Sequence, residues 1–113
     1  MEATARARHI RASARKMRLV ADVIRKKPVS KAIALLHYGI TKKASEDIER
    51  TLRAAVANLQ SRGEGANIDI DDLTVKSIVI DGGPTLKRGR ARAQGRYFRR
   101  LSRTSHIKII ISD

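Results

Sequence analysis

Residues 82–106 read GGPTLKRGRARAQGRYFRRLSRTSH, and the organisation of the whole chain depends on this stretch. It contains eight Lys or Arg residues and no Asp or Glu, and its only aromatic residues are the adjacent Tyr97 and Phe98. A segment so cationic and so poor in apolar bulk cannot offset its own ordering entropy by burying surface. We therefore predict that a polyanion is needed to define its shape.

Two β-rich runs flank this stretch, residues 73–80 (LTVKSIVI) and residues 106–111 (HIKIII). Antiparallel pairing of the two runs places the residues between them at the distal end of a hairpin. Each leg then has about 11 residues and, at roughly 3.3 Å per residue, reaches about 35 Å from the base. A compact globule of about 90 residues has a radius of gyration of only roughly 12 Å. The hairpin is therefore predicted to protrude as an arm.

The residues before the arm predict one strand and three helices. Residues 2–10 alternate between an alanine-rich face and a cationic face, which is typical of a strand. Ser13 is a suitable N-cap for a first helix that Pro28 stops, with Arg25, Lys26 and Lys27 at the negative end of its dipole. The apolar stripe of this helix is Met17, Val20, Ala21 and Ile24.

A second, short helix is predicted to begin at Ser30 and end at Gly39, with Ile33, Leu36 and Tyr38 facing inward. Thr41 or Ser45 caps a third helix that runs to Gln60. Its first turns carry Glu46, Asp47 and Glu49, where the dipole favours anions, and its apolar stripe is Ile48, Leu52, Ala55, Val56 and Leu59. The resulting prediction is an α+β fold with three helices packed on a three-stranded antiparallel sheet, two of whose strands extend into a long protruding basic β-hairpin.

Length and composition limit the chain to one domain. At 113 residues it is too short for two separate cores, and we expect a globular base (residues 1–81 and 104–113) that carries the arm (residues 82–103). Aromatic residues make up 3% of the chain and Trp is absent, so the core must consist of Ile, Leu, Val and Ala.

The charge is concentrated at the two ends of the chain. The formal net charge is +14. Residues 1–31 contain ten basic and two acidic side chains, residues 82–113 nine and one, and residues 32–81 six and eight. This distribution indicates that both ends meet an anionic partner, and nucleic acid is the usual partner of so basic a domain.

Several functions find no support in the sequence. The chain has no Cys, so thiol chemistry and disulfides are excluded, and His9, His37 and His106 lack the spacing of metal ligands. Asp69, Asp71 and Asp72 have no histidine near them and are typical of a solvated turn. We therefore predict no catalytic residue, no metal and no cofactor. No apolar run approaches the roughly 18 residues that cross a bilayer, and residues 1–4 do not begin a signal peptide, so we expect a cytoplasmic protein that contacts no membrane.

Arginine dominates the arm, with seven residues against one lysine. Its planar guanidinium suits bidentate contacts with phosphates, and the interleaved Gly and Ala residues allow the backbone to approach them closely. Tyr97 or Phe98 either stacks on an unpaired base or joins the two legs of the hairpin, and the sequence does not decide between these roles. We expect contacts that recognise the shape and backbone of the nucleic acid, and affinity that falls steeply with salt.

Four motifs resemble one known family. They are RKMRLVADVIR at residues 15–25, DGGPTLKR at residues 81–88, Gly95-Arg96, and RTSHI at residues 103–107. In order and spacing the chain resembles, almost from end to end, the bacterial family of large-subunit ribosomal protein twenty-two of the L series. Three positions differ from that pattern: Ala14 and Ala91 replace common prolines, and Lys26 replaces a frequent glycine.

The resemblance implies a structural component of the large ribosomal subunit that binds large-subunit rRNA and supports subunit assembly. It implies a base near the mouth of the polypeptide exit tunnel and an arm that lines the tunnel. Neighbouring ribosomal proteins at the constriction and exit, and the nascent polypeptide, would be its partners, and the chain would be a monomer within the subunit. In that family, changes at the tip affect sensitivity to macrolide antibiotics. The tip would comprise Leu86, Lys87, Arg88, Gly89, Arg90, Ala91, Arg92 and Ala93.

Two sets of residues are expected to contact rRNA. The basal set is Arg11, Arg15, Lys16, Arg18, Arg25, Lys26 and Lys27. The arm set is Lys87, Arg88, Arg90, Arg92, Arg96, Arg99, Arg100 and Arg103, followed by Thr104, Ser105 and His106. The alternatives are an architectural DNA-binding protein, for which no clear dimer face is evident, and an enzyme that uses the carboxylates of Asp69, Asp71 and Asp72.

Overall fold

The computed structural model describes residues 2–39, 43–62, 68–91, 93–95 and 97–113, with the backbone alone at residues 90 and 97–100. The helices and strands in chain order are β1 (Glu2–Ile10), α1 (Ala14–Ile24), α2 (Val29–Ala34), α3 (Lys43–Gln60), β2 (Thr74–Gly82), β3 (Leu86–Ala91), β4 (Tyr97–Ser102) and β5 (Ser105–Ser112). A π-helical turn (Leu35–Gly39) continues α2, and short 3₁₀ turns lie at Ile70–Asp72 and Ala93–Gly95. Within the described ranges, no helix has the length and apolarity to cross a membrane.

The base is built on a three-stranded antiparallel sheet. Its strand order is β1-β5-β2, so β5 lies in the centre and pairs with both the first strand and the strand that leads into the arm. In one row across the sheet Ala5 pairs with Ile109, which pairs with Ile78. The three helices and this sheet confirm the predicted α+β class and the predicted antiparallel pairing of the two β-rich runs.

The core lies between one face of the sheet and the helices. In β5 the buried side chains alternate strictly, because Ile107, Ile109 and Ile111 face the helices while the residues between them face the other way. The stripes predicted for α1 and α3 are buried against them: Met17, Val20, Ala21 and Ile24, and Ile48, Leu52, Ala55, Val56 and Leu59. These side chains form one hydrophobic cluster, which among the described residues contains Met17 and aliphatic residues but no aromatic one.

Helix α1 begins as predicted and ends earlier than predicted. The Ser13 side chain accepts a hydrogen bond from the Lys16 backbone N–H at 3.4 Å and caps the helix. The last helical residue is Ile24, four positions before Pro28, because Arg25 is extended and Lys26 has a left-handed φ of 62°. The sequence predicts that the cations at residues 25–27 lie in the last turn of this helix. In the structure they lie beyond its last helical residue.

The second and third helices correct three further expectations. Helix α2 begins at Val29 with Pro28 at the N-cap position, one residue before the predicted start. Tyr38 was expected to face inward but is 82% exposed, and its ring meets the His37 ring edge-on. Ser45 lies inside α3 and is buried, so it is not the cap, and the alternative cap Thr41 lies outside the described residues.

The residues of the predicted arm form a second, separate sheet. Strands β3 and β4 pair antiparallel from Leu86 opposite Ser102 to Ala91 opposite Tyr97. The chain extends 65 × 26 × 16 Å along its principal axes, and its radius of gyration is 17.2 Å. A compact chain of this length has a radius of gyration of about 13 Å. The molecule is therefore markedly elongated.

Candidate nucleic-acid interface

A groove of about 930 Å³ lies where the arm meets the base. Three parts of the chain form it: the loop before α1 and the first two turns of that helix, the start of α3, and the residues of β3 and β4 nearest the base. We call it the root groove, and it is lined by Arg11, Ala12, Ser13, Lys16, Leu19, Lys43, Ala44, Asp47, Leu86, Leu101, Ser102, Arg103 and Thr104.

The root groove is strongly cationic. Arg11, Lys16, Lys43 and Arg103 line it, and Asp47 is the single acidic residue of the lining among the residues that the structure describes. Two of these cations come from the predicted basal set and one from the predicted arm set, so the fold brings the two sets together at one surface. A concave surface lined by one sign of charge concentrates its field on a ligand of the opposite sign. The root groove is therefore suited to a polyanion.

The same groove exposes apolar side chains that the core does not use. Leu19 projects from α1 away from the buried stripe and is 56% exposed, and Leu101 on β4 is 47% exposed. Leu86 lies half-buried beside them. An apolar wall beside a cationic one fits the two chemical parts of a nucleotide, its base and its phosphate.

Sequence reasoning did not select Lys43 as part of this surface. Lys43 is the first residue of α3, where the helix dipole disfavours a positive charge. The available signal was a cation at the start of a helix, where the dipole disfavours it. The acidic residues that follow are those that the dipole favours. The groove supplies the explanation, because Lys43 adds to the field of its other cations.

The root of the arm is held by a compact set of polar contacts. The Gly83 backbone N–H donates to the Thr104 carbonyl oxygen at 2.9 Å, and the Thr104 hydroxyl donates to the Pro84 carbonyl oxygen at 2.6 Å. On the other side the His9 backbone N–H donates to His106 Nδ1 at 3.1 Å. Thr104 is 6% exposed and the Ser105 side chain is fully buried. The contacts of Thr104 hold the arm to the base, and burial keeps the Ser105 hydroxyl out of reach of a ligand.

Two arginines of the predicted basal set contact the edge of the sheet. Arg18 Nη2 donates to the Ile80 carbonyl oxygen at 2.9 Å, and Arg25 Nη1 donates to the Ile78 carbonyl oxygen at 2.8 Å. Arg25 also forms an ion pair with Asp22 at 3.1 Å. Both carbonyls lie on β2, an edge strand whose outward groups would otherwise be unpaired. Each guanidinium has further N–H donors, so these contacts leave capacity for a phosphate.

The opposite edge of the sheet is covered in the same way. Asn58 Nδ2 donates to the Thr4 carbonyl oxygen at 3.1 Å, and Arg62 Nη1 donates to the Glu2 carbonyl oxygen at 2.8 Å. Both acceptors lie on β1; Asn58 is in the last turn of α3, and Arg62 follows the end of that helix. Side chains from the helices thus cover both edges of the sheet, which limits pairing with other chains.

The remaining predicted contact residues are distributed over the surface. Arg15 and Lys26 are exposed, and Lys27 is half-buried. At the predicted tip Lys87, Arg88, Gly89, Ala91 and Ala93 are exposed and Leu86 is half-buried. Arg92 and Arg96 lie outside the described residues, and so do the side chains of Arg90, Tyr97, Phe98, Arg99 and Arg100.

The acidic cluster has a structural role. Asp69 caps the short 3₁₀ turn Ile70–Asp72 by accepting a hydrogen bond from the Asp71 backbone N–H at 3.2 Å. In the part of the chain that the structure describes, no three His, Asp or Glu residues are grouped as metal ligands would be. The Asp69 carboxylate therefore stabilises this turn.

Comparison with protein families gives a match that covers nearly the whole chain. Residues 5–112 match the model of the family described as ribosomal protein L22p/L17e. Proteins of this family are structural constituents of the cytoplasmic large ribosomal subunit, bind rRNA and have other ribosomal proteins as partners. The match confirms the resemblance carried by the four sequence motifs. The chain therefore belongs to the ribosomal protein L22p/L17e family.

Proposed function

We propose that the root groove and the arm bind large-subunit rRNA together and that the arm lines the polypeptide exit tunnel. In this proposal the base, residues 1–81 and 104–113, rests on the rRNA as one domain with the arm, residues 82–103. The chain acts as a monomer within the subunit and supports its assembly. Its role is structural, as in its family.

The observation that carries this proposal is the convergence of four cations in the root groove. Arg11 and Lys16 come from the N-terminal part of the chain, Lys43 from α3 and Arg103 from the arm. Residues so distant in sequence meet only in the folded chain, and one acidic side chain accompanies them. Phosphates bound there would release counterions, which is the main sequence-independent source of affinity for nucleic acid.

The shape of the molecule supports the role of the arm. Strands β3 and β4 pair only with each other among the described strands, and the molecule is 65 Å long. A cationic two-stranded ribbon of this kind can enter RNA that surrounds it on both sides. The exposed residues 87–89, 91 and 93 would then face the tunnel, beside a neighbouring ribosomal protein and the nascent polypeptide.

A salt titration of binding to transcribed large-subunit rRNA tests the groove. Lys16→Gln and Arg103→Gln should each reduce affinity about fivefold to tenfold near 0.1 M salt and lower the salt slope by about 0.7 to 0.9. Lys31→Gln is the matched control, because Lys31 is exposed on α2 and does not line the groove. An unchanged slope in both groove variants would exclude the groove as a phosphate-binding surface.

Crosslinking tests the placement of the arm. A photoreactive residue at position 88 should label both rRNA and a stalled nascent chain in assembled ribosomes, whereas the same group at position 50 on α3 should not label the nascent chain. Absence of nascent-chain labelling from positions 88 and 91 would show that the arm does not line the tunnel.

Sedimentation of cell extracts tests the assembly role. A Lys16→Gln and Arg103→Gln double variant should accumulate incomplete large subunits if rRNA contacts at the root groove support assembly. Normal subunit profiles in cells whose only copy is this variant would argue against that role.

A further inference from the structure

One face of the sheet is open. None of the described helices packs on the side opposite the core, and the side chains on it are half-buried or exposed along all three strands. The row through its middle consists of Arg6 on β1, Lys108 on β5 and Val79 on β2, with Lys108 the direct partner of each neighbour. We call this side of the sheet the open face.

The end of the open face nearest the arm carries a cationic depression. It has a volume of about 460 Å³ and is lined by Arg6, Arg8, Lys108, His9, His106 and Asp81, together with Ile107. Arg6, Arg8 and Lys108 have no described ion pair, and Asp81 is the only acidic residue of the lining. The ion pair of the open face, between Lys76 and Glu2, involves none of these lining residues.

The opposition of Arg6 and Lys108 is unfavourable for the free protein. Like charges directly opposite on adjacent antiparallel strands destabilise a sheet, while opposite charges stabilise it. The base nevertheless places these two cations face to face, with Arg8 two residues along the same strand. A bound polyanion would convert this repulsion into attraction to a shared partner.

The backbone beside these cations is shaped in an unusual way. The register of β1 against β5 shifts between Ala7 and Ile10, and His9 there has a left-handed φ of 58°. Its N–H donates to His106 Nδ1, and the two rings meet edge to face with centroids 5.0 Å apart. Bulges commonly redirect side chains at functional surfaces. The distortion places two flat aromatic rings at the wall of the cationic depression, where an unpaired base can stack.

We propose that the open face binds a second segment of RNA, separate from the segment in the root groove. Arg6, Arg8 and Lys108 contact its phosphates, and His9 offers a ring to an unpaired base. The inference rests on the proposed rRNA binding and extends it to residues that neither predicted set contains. Because the groove lies on the helix side of the sheet and the open face on the other, the two segments hold the root of the arm from opposite sides.

The test compares binding to transcribed large-subunit rRNA with stability of the free protein. The Arg6→Gln and Lys108→Gln double variant should lose at least fivefold in affinity near 0.1 M salt, and its salt slope should fall by about one to two. The melting temperature of the free double variant should stay constant or rise, since a like-charge pair is removed. Simultaneous loss of affinity and gain of stability is an outcome that damage to the fold cannot produce.

Three further variants make the result decisive. Arg50→Gln on α3 is the control for general charge, and the charge-conserving Arg6→Lys with Lys108→Arg should retain affinity. Arg8→Gln repeats the test at a residue without a cross-strand cationic partner. If both the double variant and Arg8→Gln bind like Arg50→Gln, the open face faces solvent or a protein and the proposal is wrong. The groove variants Lys16→Gln and Arg103→Gln report independently, so failure of the open face and failure of the root groove are distinguishable.

Discussion

Gly83 lies at the root of the arm, where there is no room for a side chain. A Cβ at this position would be 2.6 Å from Thr104 Oγ1 and 3.0 Å from His106 Cε1. The Thr104 hydroxyl is held by its hydrogen bond to Pro84, and His106 by its contact with His9, so neither neighbour is free to move aside. The motif DGGPTLKR therefore contains a glycine that close packing requires.

The first prediction is that Gly83→Ala destabilises the base. Overpacking against Thr104 and His106 should cost about 1–3 kcal/mol in the free energy of unfolding, measured by urea denaturation. The adjacent Gly82 is a matched control, since nothing lies within 4 Å of a Cβ placed there. Equal unfolding midpoints for Gly83→Ala and Gly82→Ala would contradict the contact described here.

Lys26 shows what a departure from the family pattern means physically. Its φ of 62° follows immediately after the end of α1, the position at which helices commonly use glycine. Lysine replaces the glycine of the family pattern here, and the sequence predicts for it a contact with RNA. The structure adds that its side chain is carried on a backbone conformation that L-residues disfavour.

The second prediction concerns this strain. Lys26→Gly should raise the free energy of unfolding by about 0.5–1 kcal/mol, because relief of the left-handed strain exceeds the extra chain entropy of glycine. The melting temperature should rise by about 2–8 °C, measured by calorimetry. Lys27→Gly, at a position without positive φ, should instead lower it. A lower melting temperature for Lys26→Gly would show that the side chain makes a stabilising contact.

At the scale of elements, Arg18 on α1 and Arg25, the residue after this helix, contact the exposed edge of β2. The sequence predicted Arg18 and Arg25 as RNA contacts because they lie off the apolar stripe of the helix. In the structure their donors reach carbonyls 62 and 53 residues away in the chain, and further N–H donors of each guanidinium remain. Helical periodicity identifies the buried face of a helix, but it does not reveal that the border of that face meets a sheet edge.

The third prediction separates the two roles within one helix. Arg18→Met keeps the apolar stem but removes the hydrogen bond to Ile80, so unfolding should become easier by about 0.5–1.5 kcal/mol. Arg15→Met, which changes an exposed residue of the same helix, should leave stability within about 0.5 kcal/mol. Light scattering should show more association of Arg18→Met, because an edge carbonyl of β2 becomes available. Equal stability of the two variants would show that the hydrogen bond from Arg18 to Ile80 does not stabilise the fold.

Glu49 joins α3 to the π-helical turn that follows α2. Its carboxylate accepts hydrogen bonds from His37 Nδ1 at 3.1 Å and from Arg53 Nη2 at 3.0 Å. Burial raises the pKa of this carboxyl, but the hydrogen bonds from Arg53 and His37 outweigh that effect, so the pKa lies below its usual value of 4.5. The charged form of Glu49 is therefore favoured in the folded protein.

The fourth prediction follows from the sign of this shift. A group with a lowered pKa contributes stability that is fully present above its unfolded value of 4.5 and is lost as the pH falls through the folded value. Glu49→Gln should reduce the free energy of unfolding at pH 7, and the difference from the parent protein should shrink below pH 4.5. Denaturant titrations from pH 7 to pH 3 measure this difference. A difference that stays constant across this range would contradict the linkage.

At the scale of the whole molecule, the arm and the base differ in how they are stabilised. The strands of the base are paired across a sheet and buried against helices, whereas β3 and β4 form a sheet of two strands. An isolated two-stranded sheet is only marginally stable in water. Its register places residue 88 opposite residue 100.

The fifth prediction is that the arm orders fully only on RNA. Amides of residues 89–95 should exchange with solvent quickly in the free protein and slowly in the rRNA complex, while those of β5 should exchange slowly in both. Mass spectrometry of peptides from each region measures this difference. Strong protection of residues 89–95 without RNA would show that the arm is stable by itself.

The sequence by itself determined the features that depend on local pattern and composition. The period of two in β1, the apolar stripes of α1 and α3, the cap at Ser13 and the cationic ends of the chain were all predictable, because neighbours within a few residues produce them. The family motifs added the large ribosomal subunit as the destination. Tyr38 shows the limit of such patterns. Extending the apolar stripe of the second helix to Tyr38 does not specify how the chain turns after Leu36.

Only the tertiary structure decided which cations are free and where they meet. It engaged Arg18 and Arg25 with carbonyls of β2, brought Lys43 to the root groove, and set Arg6 opposite Lys108 on the open face. The physical reason is that charge is a property of a residue, whereas an electrostatic surface is a property of contacts between residues far apart in the chain. Sequence spacing carries no record of those contacts until strand order and helix placement bring them together.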